Sequence, residues 1–585
     1  MLLENDATYY AGRALDHVKQ QNFQQAAEGF AMALTIKPED EDCQFNLASC
    51  YIHLKNWVDA EHILKNLYSS NYQPALVTEH LAITLFKQQK KEAFYFLKKA
   101  LILSNFKESV CLLALKAIFT TRTNYDLLFT IEQSPHLADY GFNTQYYLGS
   151  LSTSIGRIEQ AIGYFKHCHT QQPHSIQAAF NLLCLHNCLD GFDGIAQQKQ
   201  TIAIIEKLFP YSATSARAPS SPAPSKPLQH IGFISGDFKL HSCFWFMKPL
   251  LEYLRGKYHL SLFSNVAATD DYTNIIRHLG HDWYDIHALN DADAAALIHK
   301  AQADILIDLS GLTEGHRMGI LAQRPANCLQ LNWLGYPATT GLATMDGRIV
   351  DWHTDPAGTD NQSSEQLLRL PRSFLCYHPP DDLPAINYQP ATQIRFGSFN
   401  QLMKLSDHCI GLWAEILRAL PTALLVLKNH GLADITVQQY ILQRFAQHGI
   451  SPHQLSLLPH SKTQQAHFLQ YQYIDIALDS FPYHGTTTSL EALYMGVPVI
   501  SLAGTRHGER VGVSILQNLG APELIAYSDA EYIQKAVNLA NNPDLISQYH
   551  RDLRPRLRQS VLMDPQQFGE DFMAAVGDFY YNRNL

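Results

Sequence analysis

Small apolar residues recur along the first hundred positions with a step that few architectures need. Ala14, Ala26, Phe30 and Ala33 are followed 34 positions on by Ala48, Ala60, Leu64 and Leu67. A further step of 33 or 34 reaches Ala82, Ala93, Leu97 and Ala100, and Pro38 closes the first set. Leu148, Gly149, Ala161, Phe165, Cys168 and Pro173 repeat the arrangement later in the chain. A period of about 34 residues holds two helices and a turn. Small residues let the helices approach closely, the larger apolar residue fills the gap, and proline stops the second helix. Such a unit buries its apolar faces only against its neighbours, so the units must stack. Residues 101–140 and 175–210 keep helical periodicity without the repeat set, which leaves an ordinary helical bundle as the alternative there.

The pattern resembles tetratricopeptide repeats, and it assigns residues 1–211 to a helical superhelix with a concave face. Surfaces of that kind hold peptides or partner proteins, so this region is expected to bind rather than to catalyse. Residues 212–227, SATSARAPSSPAPSKP, lack apolar periodicity and read as a linker. Beyond them the period changes to short apolar runs separated by amphipathic helices: IGFIS near 231, LSLFS near 260, DILIDLS near 304 and QLNWLG near 330. A second series comprises IRFGSF near 394, ALLVLK near 423, QLSLLP near 454, IDIALDS near 474 and VPVISLAG near 497. These are the marks of buried parallel strands in two Rossmann-like α/β domains, 228–376 and 394–585, joined through 377–393 in a GT-B-like layout. No GxGxxG fingerprint and no GxxxxGK[ST] loop occurs in this region, which removes the usual support for a dehydrogenase or a P-loop enzyme.

Composition narrows the class. Of 585 residues 46% are hydrophobic and 17% charged, enough apolar content for large cores and against wholesale disorder. The net charge of −10 carries no long run of either sign, which argues against nucleic acid as a partner. Ten cysteines with no C-x-x-C pair, and no zinc-type Cys/His spacing, predict reduced thiols. The first residues lack the order of a signal peptide, and no apolar run approaches the ~20 residues that span a bilayer. A cytoplasmic location without membrane contact is the expectation.

The chemistry concentrates in two segments. In LDSFPYHGTTTSLEALYMGVP, residues 478–498, a strand ends in a turn through Gly485 and a helix starts at Thr486, Thr487 and Thr488. Free amides and hydroxyls there suit a diphosphate, with Glu491 one turn on able to reach a ribose hydroxyl; a plain helix cap is the competing reading. In FGSFNQLMKLS, residues 396–406, Gln401 and Lys404 follow a strand as an amide and a cation suited to phosphate oxygens, although a lone lysine is more often a solvated one. The same domain supplies His467.

Together GDFKLHS, RPANCLQLNWLGYPATTG, FGSFNQLMKL and DSFPYHGTTTSLEALYMGVP resemble the O-GlcNAc transferase and SPINDLY family of protein O-glycosyltransferases, and the N-terminal repeats match that architecture. The resemblance implies an inverting GT-B enzyme, without cofactor or catalytic metal, that moves a sugar from a nucleotide diphosphate to Ser or Thr of protein acceptors. It places Lys404, Gln401, Thr487 and Thr488 on the donor diphosphate, Glu491 near the ribose and His467 beside the base. His241 falls near the reacting centre, as base or as orienting group, and Gly335, Tyr336 and Pro337 shape the sugar pocket. Thr486 stands where animal O-GlcNAc transferases carry a histidine, and with LPRSFLCY at 370–377 it leans towards the SPINDLY branch, whose plant members use GDP-fucose. Gln401 and His467 lean towards UDP-GlcNAc, the donor expected here. An inactive repeat scaffold and a glycosyltransferase acting on a non-protein acceptor are the rival classes. The sequence leaves a homo-oligomer open.

Overall fold

The computed structural model describes residues 6–210, 226–325 and 329–582. The expected linker lies outside the described residues up to position 225. Two compact units divide the chain, Met1–Ser152 and Thr153–Leu585.

The first unit is helical. Ala7–Lys19, Phe23–Ile36, Glu41–His53, Trp57–Ser69, Pro74–Lys87, Glu92–Leu103 and Glu108–Thr121 follow one another through tight turns. Asp6 and Asp40 cap two of them by accepting from the Thr8 and Cys43 amides at 2.9 and 3.0 Å. The phased residues are the core: Ala14, Ala26, Phe30, Ala48, Ala60, Leu64, Ala82, Ala93, Leu97 and Ala100 are fully buried. Close approach explains why small residues hold these places, since a Cβ built on Gly29 would stand 2.9 Å from that of Ala14.

The second unit begins with helices too. Ile158–Gln171, Ile176–Leu185 and Gly194–Leu208 precede the sheets, and the last two also pack onto the α/β region. Ala179, Phe180, Leu183, Ile205 and Phe209 share one core with Ile234, Phe263, Leu306 and Tyr336 of the α/β region. The compact unit that holds the sheets therefore starts at Thr153, ahead of the boundary at 211 read from the sequence.

Two parallel sheets follow. The first contains β1 His230–Ser235, β2 His259–Ser264, β3 Asp282–Asp285, β4 Ile305–Asp308, β5 Leu329–Asn332, β6 Gly347–Asp351 and β7 Gln366–Leu370, in the order β3-β2-β1-β4-β5-β6-β7. The second contains β8 Arg395–Ser398, β9 Leu424–Lys428, β10 Leu455–Leu458, β11 Ile476–Leu478, β12 Val499–Leu502 and β13 Ile525–Ala526, in the order β10-β9-β8-β11-β12-β13. Both are doubly wound, with switch points between β1 and β4 and between β8 and β11; ligands of such sheets sit outside the carboxyl ends at those points. The last helix, Pro565–Asn582, returns to the first sheet, where Phe572 meets Trp333 edge to face at 5.2 Å and Asp571 pairs with Arg372 at 2.6 Å. Among the described residues no helix is long and apolar enough to cross a membrane.

Candidate active site

The loops at the two switch points face a common cavity of about 370 Å³. Nine of the residues singled out in the sequence line it: His241, Gly335, Tyr336, Pro337, Gln401, Lys404, Thr486, Thr487 and Thr488. Gly485, His467 and Glu491 stand outside the lining and act on it from behind.

On the second domain the loop after β11 is drawn shut by Asp479. Its buried carboxylate accepts from the Gly485 amide at 2.8 Å and from the Ser501 hydroxyl at 2.5 Å. Gly485 has no room for a side chain, because a Cβ there would lie 2.5 Å from the Thr488 and Ser489 hydroxyl oxygens. His484 is fully buried, donates from Nε2 to the Leu502 carbonyl at 2.8 Å and accepts the Gly512 amide on Nδ1 at 3.0 Å. Desolvation holds its pKa below the usual value, so it braces the turn as a neutral ring. The helix Thr487–Tyr494 then opens toward the cavity. Thr486, its N-cap residue, makes no side-chain capping bond, so the terminal amides and their share of the helix dipole face the cavity without an internal acceptor from that side chain.

The loop after β8 brings the cation. Lys404 ends a short turn, Leu402–Lys404, donates to the His484 carbonyl at 2.7 Å and lies 3.8 Å over the Tyr483 ring. Burial pulls its pKa down to about 8, against the opposing pull of Asp479. Asn400 accepts from the Thr488 hydroxyl at 2.8 Å and ties the two loops together. Gln401 is exposed at the rim.

Behind the helix lies a second group. The Glu491 carboxylate accepts from His467 Nε2 at 2.9 Å and from the Tyr471 hydroxyl at 3.2 Å. His467 Nδ1 accepts from Lys428 Nζ at 2.6 Å, which fixes the ring proton on Nε2. Lys428 closes β9 and is buried, and desolvation lowers its pKa to about 8 while Glu491 opposes the shift. Glu491 is thus already engaged by His467 and Tyr471. Asn400, Tyr483 and Lys428 were not singled out in the sequence: the first two lie inside the two motifs, beside residues with more evident chemistry, and Lys428 closes β9 with no motif around it.

The first domain contributes the opposite wall. His241, in the loop after β1, has 42% of its side chain exposed, with Nδ1 3.6 Å from Asp237 Oδ2 and accepting the Cys243 amide at 3.3 Å. Asp237 is buried, which raises its carboxyl pKa, and its Oδ2 has no hydrogen-bond partner among the described residues. Asp237, His241 and Cys243 bring three ligand-type atoms within 4.8 Å of one another. Burial holds the Cys243 thiol well above its usual pKa, which opposes the thiolate that a metal needs. The Gly335-Tyr336-Pro337 turn is locked: Leu334 has a φ of 83°, and a Cβ on Gly335 would meet the Leu309 carbonyl at 2.0 Å. The Tyr336 hydroxyl donates to the Leu183 carbonyl at 3.4 Å, so this tyrosine offers the cavity its ring rather than its hydroxyl.

Residues 193–381 and 385–572 match glycosyl transferase family 41, and residues 17–77 match a tetratricopeptide repeat family. SPINDLY of Oryza sativa subsp. japonica is 35% identical over 429 residues, covering 72% of this chain and 45% of that protein. SPINDLY of Arabidopsis thaliana is 37% identical over 367 residues, 61% of this chain and 40% of its own length. The chain therefore spans less than half the length of these relatives. The solved structure of a Thermobaculum terrenum O-GlcNAc transferase mutant superposes with a TM-score of 0.71 at 26% identity, covering 98% of this chain and 97% of that one. With the family match covering most of the chain and the fold shared end to end, this chain belongs to glycosyl transferase family 41.

Proposed function

We propose that this chain is an inverting, metal-independent protein O-glycosyltransferase, with GlcNAc from UDP-GlcNAc as the donor sugar. The observation that carries the reading is the cavity itself. One wall offers a part-buried cation and an open helix N-terminus, and the other offers a half-exposed histidine. The acceptor Ser or Thr oxygen attacks the anomeric carbon and gives up its proton, while the bond from that carbon to the β-phosphate oxygen breaks and its electron pair leaves with the phosphate. Lys404 and the amides at Thr487 and Thr488 meet the charge that develops there, the role a divalent cation fills elsewhere. His241, with the Cys243 amide on Nδ1, carries its proton on Nε2 and orients the acceptor. To act as the base the ring must take its other neutral tautomer, the Nε2 proton passing to solvent and one being gained at Nδ1; Nδ1–H then donates to Asp237 Oδ2 across the present 3.6 Å gap and Nε2 is free to take the acceptor proton.

Two kinds of relative support the donor. The SPINDLY relatives are named for UDP-N-acetylglucosamine and a peptide acceptor, and the Thermobaculum protein is named an O-GlcNAc transferase. A second donor, GDP-fucose, is favoured by Thr486 and by identities of 35–37% to SPINDLY proteins against 22% to the Caenorhabditis elegans transferase. The repeats are read as the holder of protein acceptors. Intact mass of acceptors co-expressed with this chain decides the donor: an added N-acetylhexosamine supports it, and an added deoxyhexose replaces it with fucose. Transfer to a glycan alone, or none at all with either donor, overturns the protein-directed reading.

A further inference from the structure

The amino ends of β1, β2 and β3 carry a cluster that the transfer reaction does not use. In the parallel register His230 pairs with His259, and Ser261, two residues further along β2, pairs with Asp282. Because side chains alternate along a strand, this register sets His230, His259, Ser261 and Asp282 on one face of three adjacent strands. Their polar atoms converge. His259 Nε2 is 2.6 Å from Asp282 Oδ2, which also accepts from the Ser261 hydroxyl at 3.1 Å, and that hydroxyl is 2.8 Å from His230 Nε2. One ligand-type atom from each of His230, His259 and Asp282 lies within 4.8 Å of the others.

We propose that His230, His259 and Asp282 form a binding site for a divalent transition-metal ion of the Zn²⁺ type, which clips β2 and the edge strand β3 to β1. Two imidazoles and one carboxylate make an established zinc ligand set, with a fourth position for water or the Ser261 hydroxyl. Tetrahedral ligands at about 2.0–2.2 Å from zinc stand ~3.4 Å from each other, so small side-chain rotations open the His259–Asp282 contact and draw in His230. The supporting contacts suit the task as well. The Gln302 backbone hydrogen-bonds to the His230 ring, and the His281 ring stacks on His259 at 5.0 Å. Side-chain exposures of 46% for His259 and 40% for Asp282 give an ion its way in. Gaps of 29 and 23 positions between the ligands hide the site from any search for short zinc spacings; one βαβ crossover fills each gap. The cavity lies past the carboxyl end of β1, about 17 Å along that strand at ~3.3 Å per residue, so the ion takes no part in transfer.

The test uses the untagged full-length chain, stripped with EDTA and titrated with Zn²⁺ against a chromophoric chelator. One retained equivalent is expected, with a rise of several degrees in Tm on metal addition. The double variant His259→Ala/Asp282→Asn should lose both effects while donor hydrolysis in EDTA matches wild type. Co²⁺ spectra of the wild-type chain give a reading that needs no variant: nitrogen and oxygen ligation without a thiolate charge-transfer band is expected. No retained equivalent, a variant that keeps it, or a thiolate band that directs the ion to Asp237, His241 and Cys243 would each overturn the proposal.

Discussion

The two units bury different kinds of side chain. Among the described residues of the first, Glu61 is the one buried carboxylate or cation, flanked by Lys65 at 2.7 Å and Lys90 at 2.5 Å. The second buries Asp237, Asp308, Lys428, Asp479, His484, Arg506 and His507 among others, several at strand ends around the cavity. A core of alanines and leucines needs only shape complementarity, so its sequence is periodic. A core that holds charges needs a specific partner for each, so its sequence is particular to position. Substitutions should sort accordingly: in the first unit they change stability and acceptor capture, and in the second they change chemistry.

The largest effect should come from Lys404→Ala, with a loss of about 10²-fold or more in kcat. Because burial holds the lysine pKa near 8, its charge is a cost to the folded state at neutral pH, and that cost is relieved as pH rises from about 8 toward the unfolded value. Lys404→Met, which keeps the aliphatic stem, should therefore leave Tm unchanged or raise it. If activity and Tm fall together, Lys404 is a structural residue and the contrast between the units fails.

Removing residues 1–141 should next lower transfer to full-length protein acceptors about tenfold or more, equivalent to about 1.4 kcal/mol of acceptor binding. Nucleotide affinity and slow donor hydrolysis should survive. Circular dichroism and a melting curve must first show a folded truncation, since the cut exposes apolar helix faces. Equal glycosylation by the truncated and intact chains would move acceptor selection into the second unit.

A smaller effect concerns pH. Only protonated Lys404 opposes the phosphate charge, so kcat/KM for the donor should fall roughly fivefold between pH 8 and 9, following a free-enzyme pKa of about 8. A flat profile through this range would separate the step from Lys404. The least effect on chemistry belongs to Glu61→Gln. Burial raises the Glu61 pKa, but the bonds from Lys65, Lys90 and Gln88 outweigh it and bring the carboxyl down to about 2. Its folded pKa being depressed, Glu61 supplies stability above about 4.5 that is lost as pH falls toward 2. The variant should lose about 1 kcal/mol near pH 7, show a shallower acid limb in thermal melts and keep kcat unchanged.

The same contrast explains what could be read from the chain alone. The helical phase was legible because Ala26, Ala60 and Ala93 face nothing but neighbouring helices. The strands with unbroken apolar runs were legible as well. β3 was not, because its DWYD sits half-exposed at a sheet edge; nor was β6, whose GRIVD is fully buried yet carries Arg348 and Asp351. Asp351 accepts from the Ser514 hydroxyl at 2.5 Å, a partner 163 residues away that no local pattern announces. The boundary at 211 missed the packing of Phe180 and Ile205 onto the first sheet, because helix periodicity says which face is buried but not against what. At the site, the motif loops were visible and Lys428 was not, for it earns notice only once His467 stands 2.6 Å away.

Lys404 and the helix beginning at Thr487 together should read a diphosphate. Titration calorimetry in EDTA, with UDP, GDP and the matching monophosphates on the full-length chain and on Lys404→Ala, tests it most directly. Lys404→Ala should bind the preferred diphosphate at least tenfold more weakly than wild type, about 1.4 kcal/mol, while monophosphate affinity hardly moves. Equal diphosphate affinity in the two proteins, or wild-type binding that requires an added divalent metal, would contradict it.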